Sequence, residues 1–288
     1  MSEGVPFSVF PQKRKKETCW LKLKLAGLCF PCPHVPTRNV ASFPAGAVIK
    51  PGSVMPADAF PRSSGTYMPE VMFAGPDGRL EGRYHHSNEP NAPLALVLHP
   101  HPLHGGTMNN RITYALYRTF EKMGFSVMRY NSRGVGRSQG RFDGGIGEIS
   151  DAAAALDWMQ MINPNASGLW IAGYSFGAFV GMQLLMRRPE ITGWISIAPP
   201  AAHYDFGFLA PCPCGGLMIA GGKDDMAPEP AIHKLVDKLN TQKGVAVDYR
   251  IYPEADHIFA KQADKITAAV EDHVTRAMSQ QHMALAAD

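Results

Sequence analysis

Three side chains dominate the chemistry available to this 288-residue chain: Ser175 in Gly173-Tyr174-Ser175-Phe176-Gly177, Asp224 in Gly221-Gly222-Lys223-Asp224-Asp225, and His257 in Pro253-Glu254-Ala255-Asp256-His257. A serine hydroxyl is a weak nucleophile until a base takes its proton. An imidazole does this well, and a carboxylate behind it fixes the tautomer and stabilises the imidazolium. Together they perform acyl transfer: the serine forms a covalent acyl-enzyme, and water then cleaves it with the same imidazole as base. In this reading Ser175 is the nucleophile, His257 the base and later the acid, and Asp224 the orienting acid. Asp225 remains an alternative to Asp224. Asp256 adjoins His257 in sequence, which points the two side chains apart and makes it a poor orienter.

The surrounding sequence supplies the elements that would position these groups. Gly168–Ala172 is a short apolar run that predicts a buried strand, and residues 176–187 (FGAFVGMQLLMR) predict a helix with an apolar face. The tight turn between them forces Ser175 into a strained backbone conformation, and Gly173 and Gly177 remove the Cβ atoms that would collide there. The helix aims its N-terminal N–H groups at the same place. Further apolar runs at residues 193–198 and 216–220 and an alternating run over 245–251 predict later strands. Ser175, Asp224 and His257 then all stand at C-terminal ends of strands, the edge where parallel α/β sheets bind ligands. Upstream, residues 71–74 and 80–84 predict an antiparallel edge, and 94–98 and 125–130 two inner strands. Ile112, Leu116, Phe120 and Met123 mark a helix that stops near Gly124; a second spans roughly Ile149–Ile162 with Trp158 inward. The last two helices carry Ile232, Leu235, Val236 and Leu239, then Ile266, Ala269, Val270 and Val274.

The chain resembles the α/β-hydrolase superfamily from about Met68 to the last helix. It looks most like small bacterial hydrolases with the motifs H-P-H-P-x-x-G-G-T-M-x-N, R-G-x-G-x-S and G-[YF]-S-F-G-A, which stand here at residues 99–110, 133–138 and 173–178. It is similar, less specifically, to dienelactone-hydrolase-like and serine-aminopeptidase-like domains; the former use a cysteine nucleophile where this chain has Ser175. The resemblance implies a mostly parallel eight-stranded sheet with helices on both faces and the chain order serine, acid, histidine. It also implies an oxyanion hole of two N–H donors: that of Phe176, directly after the nucleophile, and one from the loop after the third strand. In that loop Pro100 and Pro102 carry no N–H, which leaves His101 as the candidate.

Two other patterns compete. His99, His101 and His104 have the H-x-H-x-x-H spacing of a zinc loop, but Leu103 stands where a metallo-hydrolase has aspartate, and no downstream ligand set completes the site. They are read as lining or packing the loop, with no metal. Arg133-Gly-Val-Gly-Arg-Ser138 fits neither a dinucleotide nor a P-loop fingerprint. Arg133 is expected to fix the loop through an ion pair, with a substrate carboxylate as the alternative partner.

Composition sets the outer limits. Residues 1–67 are rich in Pro, Ser and basic residues, with 9 Lys/Arg against 3 Asp/Glu; the rest carries 19 against 22. The net charge of +3 therefore belongs to the extension and gives no reason to expect nucleic acid at the domain. The extension reads as disordered, and Met68 is an alternative start of translation. Residues 68–288, roughly 220 residues, suffice for one α/β domain. No stretch has the ~20 apolar residues of a membrane span, and no signal peptide is legible. Cys19, Cys29, Cys32, Cys212 and Cys214 are an odd set without a secretion signal, which fits a reducing cytoplasm.

Only a short connection separates the predicted sixth and seventh strands, too short for a cap domain. Tyr204, Phe206, Phe208 and Leu209 lie in it, and two readings stay open: an acyl pocket or packing of the sheet edge. The expected function is a lidless serine hydrolase of small carboxylic esters, with no cofactor and no membrane or nucleic-acid partner. A small-substrate peptidase or amidase, or a catalytically silent binding protein of the same fold, are the alternatives.

Overall fold

The computed structural model describes residues 70–285. The readings of residues 1–67 lie outside the described residues. Eight strands form one sheet: β1 (Glu70–Gly75), β2 (Gly78–His85), β3 (Leu94–Leu98), β4 (Ser126–Tyr130), β5 (Leu169–Tyr174), β6 (Gly193–Ile197), β7 (Gly216–Gly221) and β8 (Val247–Tyr252). Their order is β1-β2-β4-β3-β5-β6-β7-β8. β1 pairs antiparallel with β2, and β2 antiparallel with β4; every later pairing is parallel. The sheet is mostly parallel, and β3 through β7 are buried along their whole length, as their largely apolar runs dictate.

Five helices complete the fold: α1 (Arg111–Lys122), α2 (Ile146–Ile162), α3 (Phe176–Leu185), α4 (Glu229–Asn240) and α5 (Ala263–Leu285). α1 packs with α5, and α2 with α3. Successive residues of β5 separate the two layers. Ile171 faces Gly181 of α3, while Trp170 meets His273 of α5 edge-on at 6.1 Å between ring centroids. α3 is apolar almost all round because it is enclosed by the sheet and α2.

Most strand boundaries differ from the sequence expectation by one or two residues, and three differences stand out. α2 begins three residues earlier than expected, because the Glu148 carboxylate accepts the N–H groups of Asp143 and Gly145, at 2.9 and 2.7 Å, and caps an extra turn. α3 ends at Leu185, two residues early. β8 starts at Val247, because the Val245 N–H is used on Gln242 O in a turn. Trp158 is half-buried, against Phe73 and edge-on to Tyr84. Residues 198–215, between β6 and β7, contain no helix, so no cap is inserted there. Among the described residues, no helix is long and apolar enough to cross a membrane.

Candidate active site

β5 runs straight into α3 through a single residue, Ser175, at φ 55° and ψ −119°. A non-glycine residue at positive φ costs on the order of 1–3 kcal/mol and persists only where the surroundings fix it. Here the strand and helix do so, with the Ser175 N–H donating to Ile197 O at 2.8 Å. The flanking glycines are steric requirements. A Cβ on Gly173 would lie 2.3 Å from the Gly177 carbonyl oxygen, and one on Gly177 would lie 2.4 Å from that of Leu98. Both obstacles are backbone and cannot move aside.

The structure brings Ser175, His257 and Asp224 together. Ser175 Oγ lies 3.0 Å from His257 Nε2, and His257 Nδ1 lies 2.8 Å from Asp224 Oδ2. The Asp224 side chain is wholly buried. Its Oδ1 accepts the N–H groups of Met226 and Ala227 at 2.9 and 2.7 Å, which fixes the carboxylate with Oδ2 turned to the imidazole. An acceptor at Asp224 places the imidazole proton on Nδ1 and leaves Nε2 free to accept from the serine hydroxyl. Asp225 is exposed, as is Asp256, and neither contacts the imidazole. Tyr174 and Arg111 also reach the loop that carries His257. The Tyr174 hydroxyl donates to His257 O at 2.6 Å, and Arg111 Nη2 to Phe259 O at 2.5 Å. Sequence reasoning missed both. Their partners lie 83 and 148 residues away, and nothing local marks a side chain that bonds to a distant carbonyl.

The loop after β3 is held by its own hydrogen bonds. The N–H groups of His104 and Gly106 donate to His101 O, that of Gly105 to Pro102 O, and that of Leu103 to His101 Nδ1. The Phe176 and His101 N–H groups have no protein acceptor among the described residues. The three histidines are used separately. His99 is buried, with Nδ1–H on Pro100 O at 2.7 Å and Nε2 accepting the Ser132 N–H at 3.1 Å. Burial pushes its pKa down to about 4, so the ring is neutral. His101 and His104 stack at 4.5 Å. Among the described residues, no three His, Cys, Asp or Glu side chains are grouped to hold a metal ion.

Arg133 pairs with the buried Asp151 through both Nε and Nη2, at 3.0 and 2.8 Å, and its own N–H donates to the same carboxylate. This ion pair ties the 131–138 loop to α2. The aromatic residues divide. Phe206 and Leu209 are buried in the core, whereas Tyr204 and Phe208 are half-buried against Phe179. Tyr204, Phe142 and His101 each lie within 6 Å of the Phe176 ring, at centroid distances of 5.8, 5.8 and 4.8 Å. A shelf of ring edges therefore adjoins the residue that follows Ser175.

Residues 60–221 match the model of the X-Pro dipeptidyl-peptidase (S15) family. A solved structure of a candidate α/β hydrolase from Agrobacterium tumefaciens, itself of unknown function, is 55% identical, covering 74% of this chain and 97% of its own, with a TM-score of 0.72. An α/β serine hydrolase without lid from Xanthomonas campestris is 30% identical, covering 74% of this chain and 95% of its own, with a TM-score of 0.65. An uncharacterized protein of Rickettsia prowazekii is 48% identical over 219 residues, 75% of this chain and 92% of its own. With the eight-stranded sheet and its strand-to-helix turn at Ser175, these likenesses lead to one conclusion: the chain belongs to the S15 family within the α/β-hydrolase superfamily and is a hydrolase of that fold.

Proposed function

We propose that this protein is a serine hydrolase that cleaves small carboxylic esters through an acyl-enzyme on Ser175. The observation that carries the reading is the unbroken relay from Ser175 Oγ to His257 Nε2 at 3.0 Å and from His257 Nδ1 to Asp224 at 2.8 Å. His257 takes the serine proton as the hydroxyl attacks the ester carbonyl, then returns it to the leaving alcohol. Water, deprotonated by His257, releases the acid. The N–H groups of Phe176 and His101 receive the oxyanion. Support for His101 is its own unspent N–H between Pro100 and Pro102, which have none, and residues 103–106, whose N–H groups are used within the loop. The acyl group lies against the aromatic shelf of Phe176, Phe142 and Tyr204. No cofactor enters this chemistry. The free thiols of Cys212 and Cys214 support a cytoplasmic setting.

A second reading, a peptidase acting on X-Pro peptides, is favoured by the family model that the chain matches. The two are separated by kcat/KM on p-nitrophenyl esters of graded acyl length against an X-Pro p-nitroanilide. Turnover of the anilide alone would replace the ester reading. A fluorophosphonate probe tests the nucleophile: wild type is expected to label and Ser175→Ala is not. Absence of labelling in the wild type would favour a binding protein of this fold.

A further inference from the structure

We propose that Tyr174 and Arg111 are positioning residues for His257, each acting through a main-chain carbonyl of the loop that carries it. The inference rests on the reading of His257 as the base. That loop spans residues 253–262, between β8 and α5, and β-strand pairing reaches neither His257 nor its neighbours. The imidazole must therefore be placed by other means. The Tyr174 hydroxyl donates to the carbonyl of His257 itself at 2.6 Å. Its ring runs alongside the imidazole, with centroids 5.6 Å apart and planes 31° apart. Tyr174 is the last residue of β5 and is buried, so its ring and hydroxyl are fixed by the sheet. Because Tyr174 and Ser175 are consecutive, one rigid strand end fixes both the nucleophile and the backbone of its base. The separation of Oγ from Nε2 then depends on β5 and on few flexible torsions.

Arg111 carries the same logic from the other side. It is the first residue of α1, where the unpaired N–H groups already create positive potential and a cation is disfavoured. Among the described residues it forms no ion pair; its guanidinium instead donates to Phe259 O at 2.5 Å. Phe259 holds φ at 49°, a conformation that a non-glycine residue keeps only under constraint. A locally unfavourable charge thus coincides with a strained residue two positions from the base. Violations of local preference concentrated in this way mark functional sites.

The test uses Tyr174→Phe, which keeps the ring and deletes the hydroxyl, and Arg111→Gln at an exposed position. Tyr174→Phe is expected to lower kcat by about 10- to 100-fold with KM changed less than about twofold, and to slow fluorophosphonate labelling in proportion. Arg111→Gln is expected to lower kcat by about fivefold, again with KM held. The double variant should lose less than the product of the two, since both bonds hold one loop. A purely structural role would lower the melting temperature while kcat stays at the wild-type value. That result in both variants would overturn the proposal, and Arg111→Gln decides alone if Tyr174→Phe does not fold. Full activity in Ser175→Ala, by contrast, would overturn the underlying reading of the site and is scored separately.

Discussion

His99 and His257 stand at the same rim of the sheet, one directly after β3 and the other in the loop after β8, and they differ in what their ring nitrogens meet. His99 donates to the carbonyl of Pro100, and its Nε2 meets both the N–H and the hydroxyl of Ser132, the latter at 3.0 Å. A serine hydroxyl therefore faces this ring too, but the neutral carbonyl on its other nitrogen cannot stabilise an imidazolium. Burial adds to this by holding the ring neutral, with its pKa pushed down to about 4. His257 is part-exposed and lies between a hydroxyl and a buried carboxylate, one able to yield a proton and the other able to stabilise the resulting charge. Position at the sheet edge is thus not what separates a base from a brace. The partner on Nδ1 does that, a carboxylate behind His257 and a neutral carbonyl behind His99.

The sharpest way to break the comparison is to remove each ring in turn. His257→Gln is expected to lower kcat by about 10⁴- to 10⁶-fold with little change in the denaturation midpoint. His99→Gln should do the reverse. Its buried bonds to Pro100 and Ser132 are lost or weakened, at a cost of about 1–3 kcal/mol of unfolding free energy, while kcat falls by no more than about tenfold through loosening of the loop that bears His101. Steady-state kinetics and urea denaturation on both variants check this. Equal losses of kcat would erase the distinction.

The next effect concerns the carboxylate. In Asp224→Asn, the amide oxygen is expected to keep the N–H groups of Met226 and Ala227, which turns the NH₂ toward His257 Nδ1. The imidazole proton must then move to Nε2, where it can no longer accept from Ser175. A loss of about 10⁴-fold in kcat is expected, with the fold intact. Asp225→Asn changes an exposed side chain and is expected to leave kcat within about twofold. A larger loss in Asp225→Asn than in Asp224→Asn would reassign the orienting acid.

The sequence makes much of this legible because the relevant constraints are local. Gly173 and Gly177 flank a turn that tolerates no Cβ, apolar runs bracket it, and the acid and histidine follow at strand ends in order. The strands were likewise readable, since β3, β5 and β7 are unbroken apolar runs and β4 and β6 are interrupted only by Ser126, Arg129 and Ser196. What escaped depends on partners far along the chain. The start of α2 was placed late because Gly145 has no side-chain oxygen to announce a cap, although Glu148, three residues on, supplied one. Tyr174 was in plain view inside the pentapeptide, but only the folded chain brings His257 O to its hydroxyl. Tyr204, Phe206, Phe208 and Leu209 left two readings open because composition alone does not divide a loop. Burial assigns Phe206 and Leu209 to the core and leaves Tyr204 and Phe208 at the shelf.

The last effect in the comparison is a pH dependence of stability in which His99 takes the leading part, beside His85, His101 and His273, whose pKa values burial also lowers. Its ring titrates near the usual 6.5 in the unfolded chain and at about 4 in the fold. Above pH 6.5 neither state binds the proton, and His99 carries no penalty. As pH falls below 6.5, the unfolded chain takes up a proton that the folded chain refuses, so stability drops; below pH 4 both are protonated and the loss levels off. Over the whole interval this amounts to on the order of 3 kcal/mol. Urea midpoints measured from pH 7.5 to pH 4 should therefore fall in the wild type and fall less steeply in His99→Gln. If the profile of His99→Gln fell as steeply as that of the wild type, His99 would not be a ring that the fold holds neutral, and its part in the division of labour between the two histidines would fall.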